Sequence, residues 1–74
     1  MTNDQSHPMT PSQQTEFIGT ALKQPATMAL IRLETQKESI PVLREAQESE
    51  RTGKARWQVL NQLRMWLLAT GETP

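Results

Sequence analysis

Ala55-Arg56-Trp57-Gln58-Val59-Leu60-Asn61-Gln62-Leu63-Arg64-Met65-Trp66-Leu67-Leu68-Ala69 holds both tryptophans of the chain and its densest run of large aliphatic side chains. At roughly 100° per residue, Trp66, Val59, Leu63, Leu67, Leu60, Trp57 and Leu68 sweep an arc of about 200° on a helical wheel. A surface helix of a small domain needs an apolar stripe only a little over ~100° wide to face its own core. The surplus predicts burial against a protein partner, a second copy of the chain, or both. The competing reading is that the monomer's own core takes every large side chain, with Trp57 and Trp66 closing its ends.

The length sharpens that choice. Seventy-four residues allow one small domain, and a domain of this size buries only about 60 % of the surface its unfolded chain exposes. Such chains draw stability from disulfides, metals, close helix packing or oligomerisation. There is no cysteine, and His7 is the single histidine, so neither a disulfide nor a structural zinc site is expected. Helix packing and self-association are left, and a homo-oligomer is expected. No cofactor is implied.

Eight basic and eight acidic residues cancel, so no global field steers the chain towards nucleic acid or an anionic membrane. The apolar run from Met65 to Ala69 is far shorter than the roughly 20 residues of a spanning helix. Met1-Thr2-Asn3-Asp4-Gln5 lacks the basic start and apolar centre of a secretory signal. These features predict a soluble, cytoplasmic protein.

The expected fold is all-α, a small helical hairpin or three-helix bundle with a long C-terminal helix and a disordered N-terminal tail over residues 1–9. A single helical domain is expected over 10–71. Thr10-Pro11-Ser12-Gln13 reads as a capping box with proline in the first turn, opening a helix over about 11–23 with Phe17, Ile18, Ala21 and Leu22 on one side. Pro25 ends it, because proline biases Gln24 away from the helical region. A second helix over about 26–38 places Ala26, Ala29, Leu30, Leu33 and Ile40 on its inner face, with Met28 and Ile31 on the other. Ser39-Ile40-Pro41 marks a break with Ser39 as cap.

From 41 to 70 a third helix is expected, supported by the i,i+4 pairs Arg44/Glu48 and Glu50/Lys54 and weakened at Gly53. A continuous helix of that length would run about 45 Å at 1.5 Å per residue. That exceeds the ~27 Å diameter of so small a body, so it either bends at Gly53 or projects into a partner. Gly71 suits a left-handed cap after Thr70.

The residues do not support an enzyme. His7 falls in the tail, and Glu45, Glu48 and Glu50 sit in a charged run that reads as a solvated face. Glu45 and Glu48, three apart, lack the histidines of a carboxylate-bridged metal site. Ser6, Ser12, Ser39 and Ser49 fall in no recognisable nucleophile–base arrangement. Thr52-Gly53-Lys54 lacks the leading glycine and preceding strand of a phosphate-binding loop.

The favoured function is therefore an adaptor, assembly factor or inhibitor whose C-terminal helix contacts protein through Trp57, Leu60, Leu63, Arg64, Trp66, Leu67 and Leu68. Tryptophan and arginine are the types most enriched at binding hot spots. Leu60, Leu63 and Leu67 are expected to pack on the second helix, leaving one edge outward. Two alternatives stay open. One is a small nucleic-acid-binding regulator using Arg44, Arg51, Lys54 and Arg56, although Glu45, Glu48 and Glu50 share that stretch and repel phosphate. The other is a membrane-surface helix over 54–69, although it has few cations and no continuous polar face for them.

Overall fold

Thr10 starts the helical part of the chain as its capping box requires. Its hydroxyl accepts from the Gln13 backbone N–H at 3.1 Å, and the Gln13 side chain accepts from the Thr10 backbone N–H at 3.0 Å. The computed structural model describes residues 9–71. Among them the chain is all-α, in four helices: α1 (Pro11–Leu22), α2 (Ala26–Glu34), α3 (Ile40–Thr52) and α4 (Trp57–Ala69). The expected tail lies outside the described residues except for Met9, which packs, partly buried, against the core and so belongs to the folded body.

Two helices are shorter than expected. The second stops at Glu34 rather than 38. There the Thr35 hydroxyl donates to the Arg32 carbonyl at 2.7 Å, and the backbone tightens into i→i+3 bonds from Thr35, Gln36 and Lys37. A side chain competing for the helix's own acceptors ends it. Ile40, expected on the face of α2, instead opens α3, with Ser39 at the N-cap and Pro41 in the first turn.

The helix expected over 41–70 is two helices. Gly53 caps α3 with φ −107° and ψ −111°, and a Cβ there would lie 2.9 Å from the Ser49 carbonyl oxygen. Ala55 follows at φ 51°, the left-handed region. The Gly53 and Ala55 N–H groups both donate to the Glu50 carbonyl, at 3.2 and 2.6 Å. The chain thus folds back within four residues, so α3 and α4 pack side by side instead of running on as one helix about 45 Å long. Gly71, at φ 89°, follows the end of α4 as expected.

α1 packs mainly on α2 and α3, and α4 mainly on α3 and then α2. The cyclic order is therefore α1–α2–α4–α3. Inside the ring lie Ile18, Ala21, Ala29, Leu33, Val42, Leu43, Ala46, Val59, Leu63 and Leu67. Alternation of alanine with branched aliphatics lets facing layers interdigitate. Phe17, Leu22, Ala26, Leu30 and Trp66 close the margin. The faces read from the periodicity of α1 and α2 are the faces buried.

The charged run of α3 is less solvated than its composition implied. Glu50 is 1 % exposed. Its carboxylate accepts from Arg56 Nε and the Arg56 backbone N–H, both at 2.8 Å, and from Nη2 at 3.0 Å. The same guanidinium donates to the Gln24 carbonyl at 2.7 Å and the Leu22 carbonyl at 3.0 Å. Those carbonyls lie at and just beyond the end of α1, where helix acceptors lose their intrahelical donors. Arg56 thus ties the α3–α4 turn to the end of α1. It holds the Glu50 carboxyl below its ordinary value, its hydrogen bond outweighing the upward push of burial. Nearer the start of α3, both Glu45 oxygens bind α1, accepting from Gln14 Nε2 at 2.7 Å and Thr15 Oγ1 at 3.0 Å. Glu48 meets Arg51 instead, so Glu45 and Glu48 do not converge on a shared site.

Three outcomes follow for stability. Removing either partner of the buried pair, by Arg56→Met or Glu50→Met, leaves an uncompensated group and costs about 3–5 kcal/mol, whereas the double replacement costs much less; urea titration followed by circular dichroism measures this. The depressed carboxyl of Glu50 contributes stability that is present above pH 4.5 and lost as pH falls through its folded value. The urea midpoint of Glu50→Gln should accordingly decline less than that of the wild type on acidification below that pH. At the turn, Ala55→Gly relieves a left-handed alanine and raises stability by up to ~1 kcal/mol, while Gly53→Ala forces the Ser49 clash and lowers it by about 1–3 kcal/mol.

Candidate interaction surface

The seven residues read from the sequence as a contact face divide into three sets. Leu63 and Leu67 are fully buried, with Val59 beside them. Leu60 and Trp66 are half-buried at the two margins of that strip, and Trp66 packs against the core. Trp57 is 71 % exposed and Leu68 46 %, with Arg64 also exposed. The division follows from helical geometry. Leu63 is fully buried at the centre of the inner strip, so residues about 100° or more away on the wheel are carried out of the core.

The two indoles part company. Trp66 closes the core; Trp57, the first residue of α4, stands outside it. α4 packs on the second helix as expected, though not chiefly there. Its principal neighbour is α3, which the unbroken-helix reading had fused to it, and α2 takes second place.

The outward edge of α4 faces an open groove shared with α3, lined by Gln47, Arg51, Trp57, Leu60, Asn61 and Arg64. Both charged residues on it are cations. Arg51 pairs with Glu48 across one helical turn, the two side chains 62 % and 61 % exposed. Arg64 makes no ion pair or hydrogen bond among the described residues. Further exposed apolar side chains are Met65 on α4 and Met28 and Ile31 on α2. The last two are the residues whose periodicity pointed away from the core.

The basic set read as a nucleic-acid contact is dispersed. Arg56 has its fork committed to Glu50 and to two carbonyls and is mostly covered, its side chain 17 % exposed. Lys54 reaches the Lys23 carbonyl at 3.5 Å rather than forming the helical pair with Glu50. Arg51 is paired, and Arg44, exposed on α3, also has an interaction partner. Among the described residues no three metal-binding side chains converge, and no helix is long and apolar enough to cross a membrane. His7 lies outside them.

The sequence reading missed Gln47 and Asn61, which carry no hydrophobic signal and are recognisable only once the turn brings α3 beside α4. It also missed the Glu50–Arg56 pair. Opposite charges straddling a Thr-Gly step were its only visible sign. Compared with protein-family models, characterised proteins and solved structures, the chain shows no significant match.

The inner and outer residues of α4 should separate by experiment. Leu63→Ala should cost about 2–5 kcal/mol, against no more than ~0.5 kcal/mol for Trp57→Ala. In single-tryptophan variants, acrylamide should quench Trp57 (in Trp66→Phe) more strongly than Trp66 (in Trp57→Phe).

Proposed function

We propose that this chain is a non-enzymatic interaction protein that docks on protein, a distinct partner or another copy of itself, through the outward edge of α4. One observation carries the reading: Trp57 is 71 % exposed on a helix whose inner face is already filled by Val59, Leu63 and Leu67. An indole has the largest apolar surface of any side chain, and the fold gains little from it in that position. Tryptophan and arginine, here Trp57 with Arg51 and Arg64, are among the residue types most enriched where binding energy concentrates. Adaptor, assembly factor and inhibitor are all roles such a surface serves. The nucleic-acid alternative is weaker, because the commitment of Arg56 to Glu50 and to two backbone carbonyls takes it out of the cationic surface that binding to phosphate requires.

Site-specific photo-crosslinking in cells of the native host tests the reading. A benzoylphenylalanine placed at position 57, 64, 65 or 68 should give discrete protein adducts, whereas one at the exposed α1 position Ser12 should not. Sedimentation velocity then assigns them: adducts of twice the chain mass with a concentration-dependent coefficient mean self-association, and other masses mean a partner. A monodisperse monomer with no adduct from any α4 position overturns the proposal.

A further inference from the structure

The groove between α3 and α4 has a chemical bias that narrows its occupant. Its apolar part is the exposed face of Trp57 with Leu60 at its margin, and its charged groups are Arg51 and Arg64. No carboxylate lines it, and α4 from Trp57 to Ala69 contains no acidic residue. The neutral polar groups, the amides of Gln47 and Asn61, both donate and accept.

The two cations differ in availability in a way that matters. Arg64 has no partner among the described residues. Arg51 has one, but its pair with Glu48 is a surface pair with both side chains about three-fifths exposed, the kind of contact whose net contribution is small. A carboxylate arriving in the groove exchanges for Glu48 at little cost. An arginine fork beside an aromatic ring donates two parallel hydrogen bonds to a carboxylate while the ring holds an apolar neighbour.

We infer that the α3–α4 groove binds an acidic segment of a partner protein, with an aliphatic or aromatic side chain set against Trp57 and Leu60 and flanking carboxylates on Arg51 and Arg64. The inference rests on the proposed interaction role and adds the site and the partner's chemistry. Charge complementarity carries it. The other exposed apolar residues, Met28 and Ile31 on α2 and Met65 on α4, lie outside the groove, and no comparable charge argument points to an occupant for them.

Three synthetic amphipathic peptides with the same leucines and tryptophan, their polar positions filled with glutamate, glutamine or lysine, test it against the full-length protein. The readout is the indole N–H resonance of Trp57, assigned from Trp57→Phe. The glutamate peptide should shift that resonance and bind at least tenfold tighter than the glutamine peptide, with the advantage shrinking as salt is raised. The lysine peptide should bind weakest. Arg51→Glu with Arg64→Glu should invert the order while leaving the far-ultraviolet circular dichroism unchanged, since neither residue belongs to the core.

Equal binding of all three peptides, binding of none, or failure of the charge reversal to invert the order overturns the inference. So does a shift of the Trp57 resonance on dilution of the protein alone, which assigns the groove to a second copy. A tighter response to oligodeoxythymidylate than to the glutamate peptide also overturns it, in favour of a nucleic-acid surface. These failures are separable from failure of the interaction role. Crosslinks from positions 65 and 68 without any acidic-peptide response leave that role standing and remove only the groove and its acidic occupant.

Discussion

A single arginine holds three segments of this protein in register. Arg56 meets the Glu50 carboxylate with its side chain and its own backbone N–H, and spends two more guanidinium donors on the Leu22 and Gln24 carbonyls. The carboxylate compensates the buried cation, and the carbonyls at the end of α1 gain donors that the helix cannot supply. A lysine has the charge but not the planar fork, so it cannot satisfy all of these acceptors at once. Because Arg56 is also the N-cap of α4, the same contacts set where that helix begins. They therefore set which of its residues face inward and which face water.

The partition of α4 follows from that start. A helix entering the ring here directs Val59, Leu63 and Leu67 to the interior and carries Trp57, Arg64 and Leu68 outside. Small domains bury a modest fraction of their surface, and this one fills its interior with aliphatic residues and alanine rather than with the bulk of its first indole. The apolar surplus visible on the helical wheel thus has a physical location, with Trp57 and Leu60 at the groove beside α3 and Leu68 on the exposed face of α4 outside it.

How much of this was readable from the residues depended on whether the controlling interaction was local. The Thr10 capping box, the interruption at Pro25, the Pro41 start and the Gly71 cap are local in sequence, and each stands where its chemistry put it. The inner faces of α1 and α2 followed from periodicity alone. The division of 41–70 was harder, because glycine in a helix interior lowers stability without dictating a turn. What decides it is the Glu50–Arg56 pair together with carbonyls more than thirty positions away, a contact no local pattern encodes. The groove was hidden for the same reason: Gln47 and Asn61 share a surface only because the turn exists. Glu45, taken for a solvated acid, proved to be a tether to α1.

Among the described residues, sulfur is kept out of the fully buried core. Among the described residues the ten buried hydrophobic side chains are hydrocarbon throughout; the thioether of Met9 lies partly buried at the margin of the core, and those of Met28 and Met65 stand at the surface, 42 % and 51 % exposed. Oxidation to the sulfoxide turns a pliable apolar side chain into a polar one. An oxidant would therefore alter the outer faces of α2 and α4 first and find no cysteine anywhere in the chain to attack. Mild oxidative damage should leave the scaffold standing while changing the character of the surface it displays.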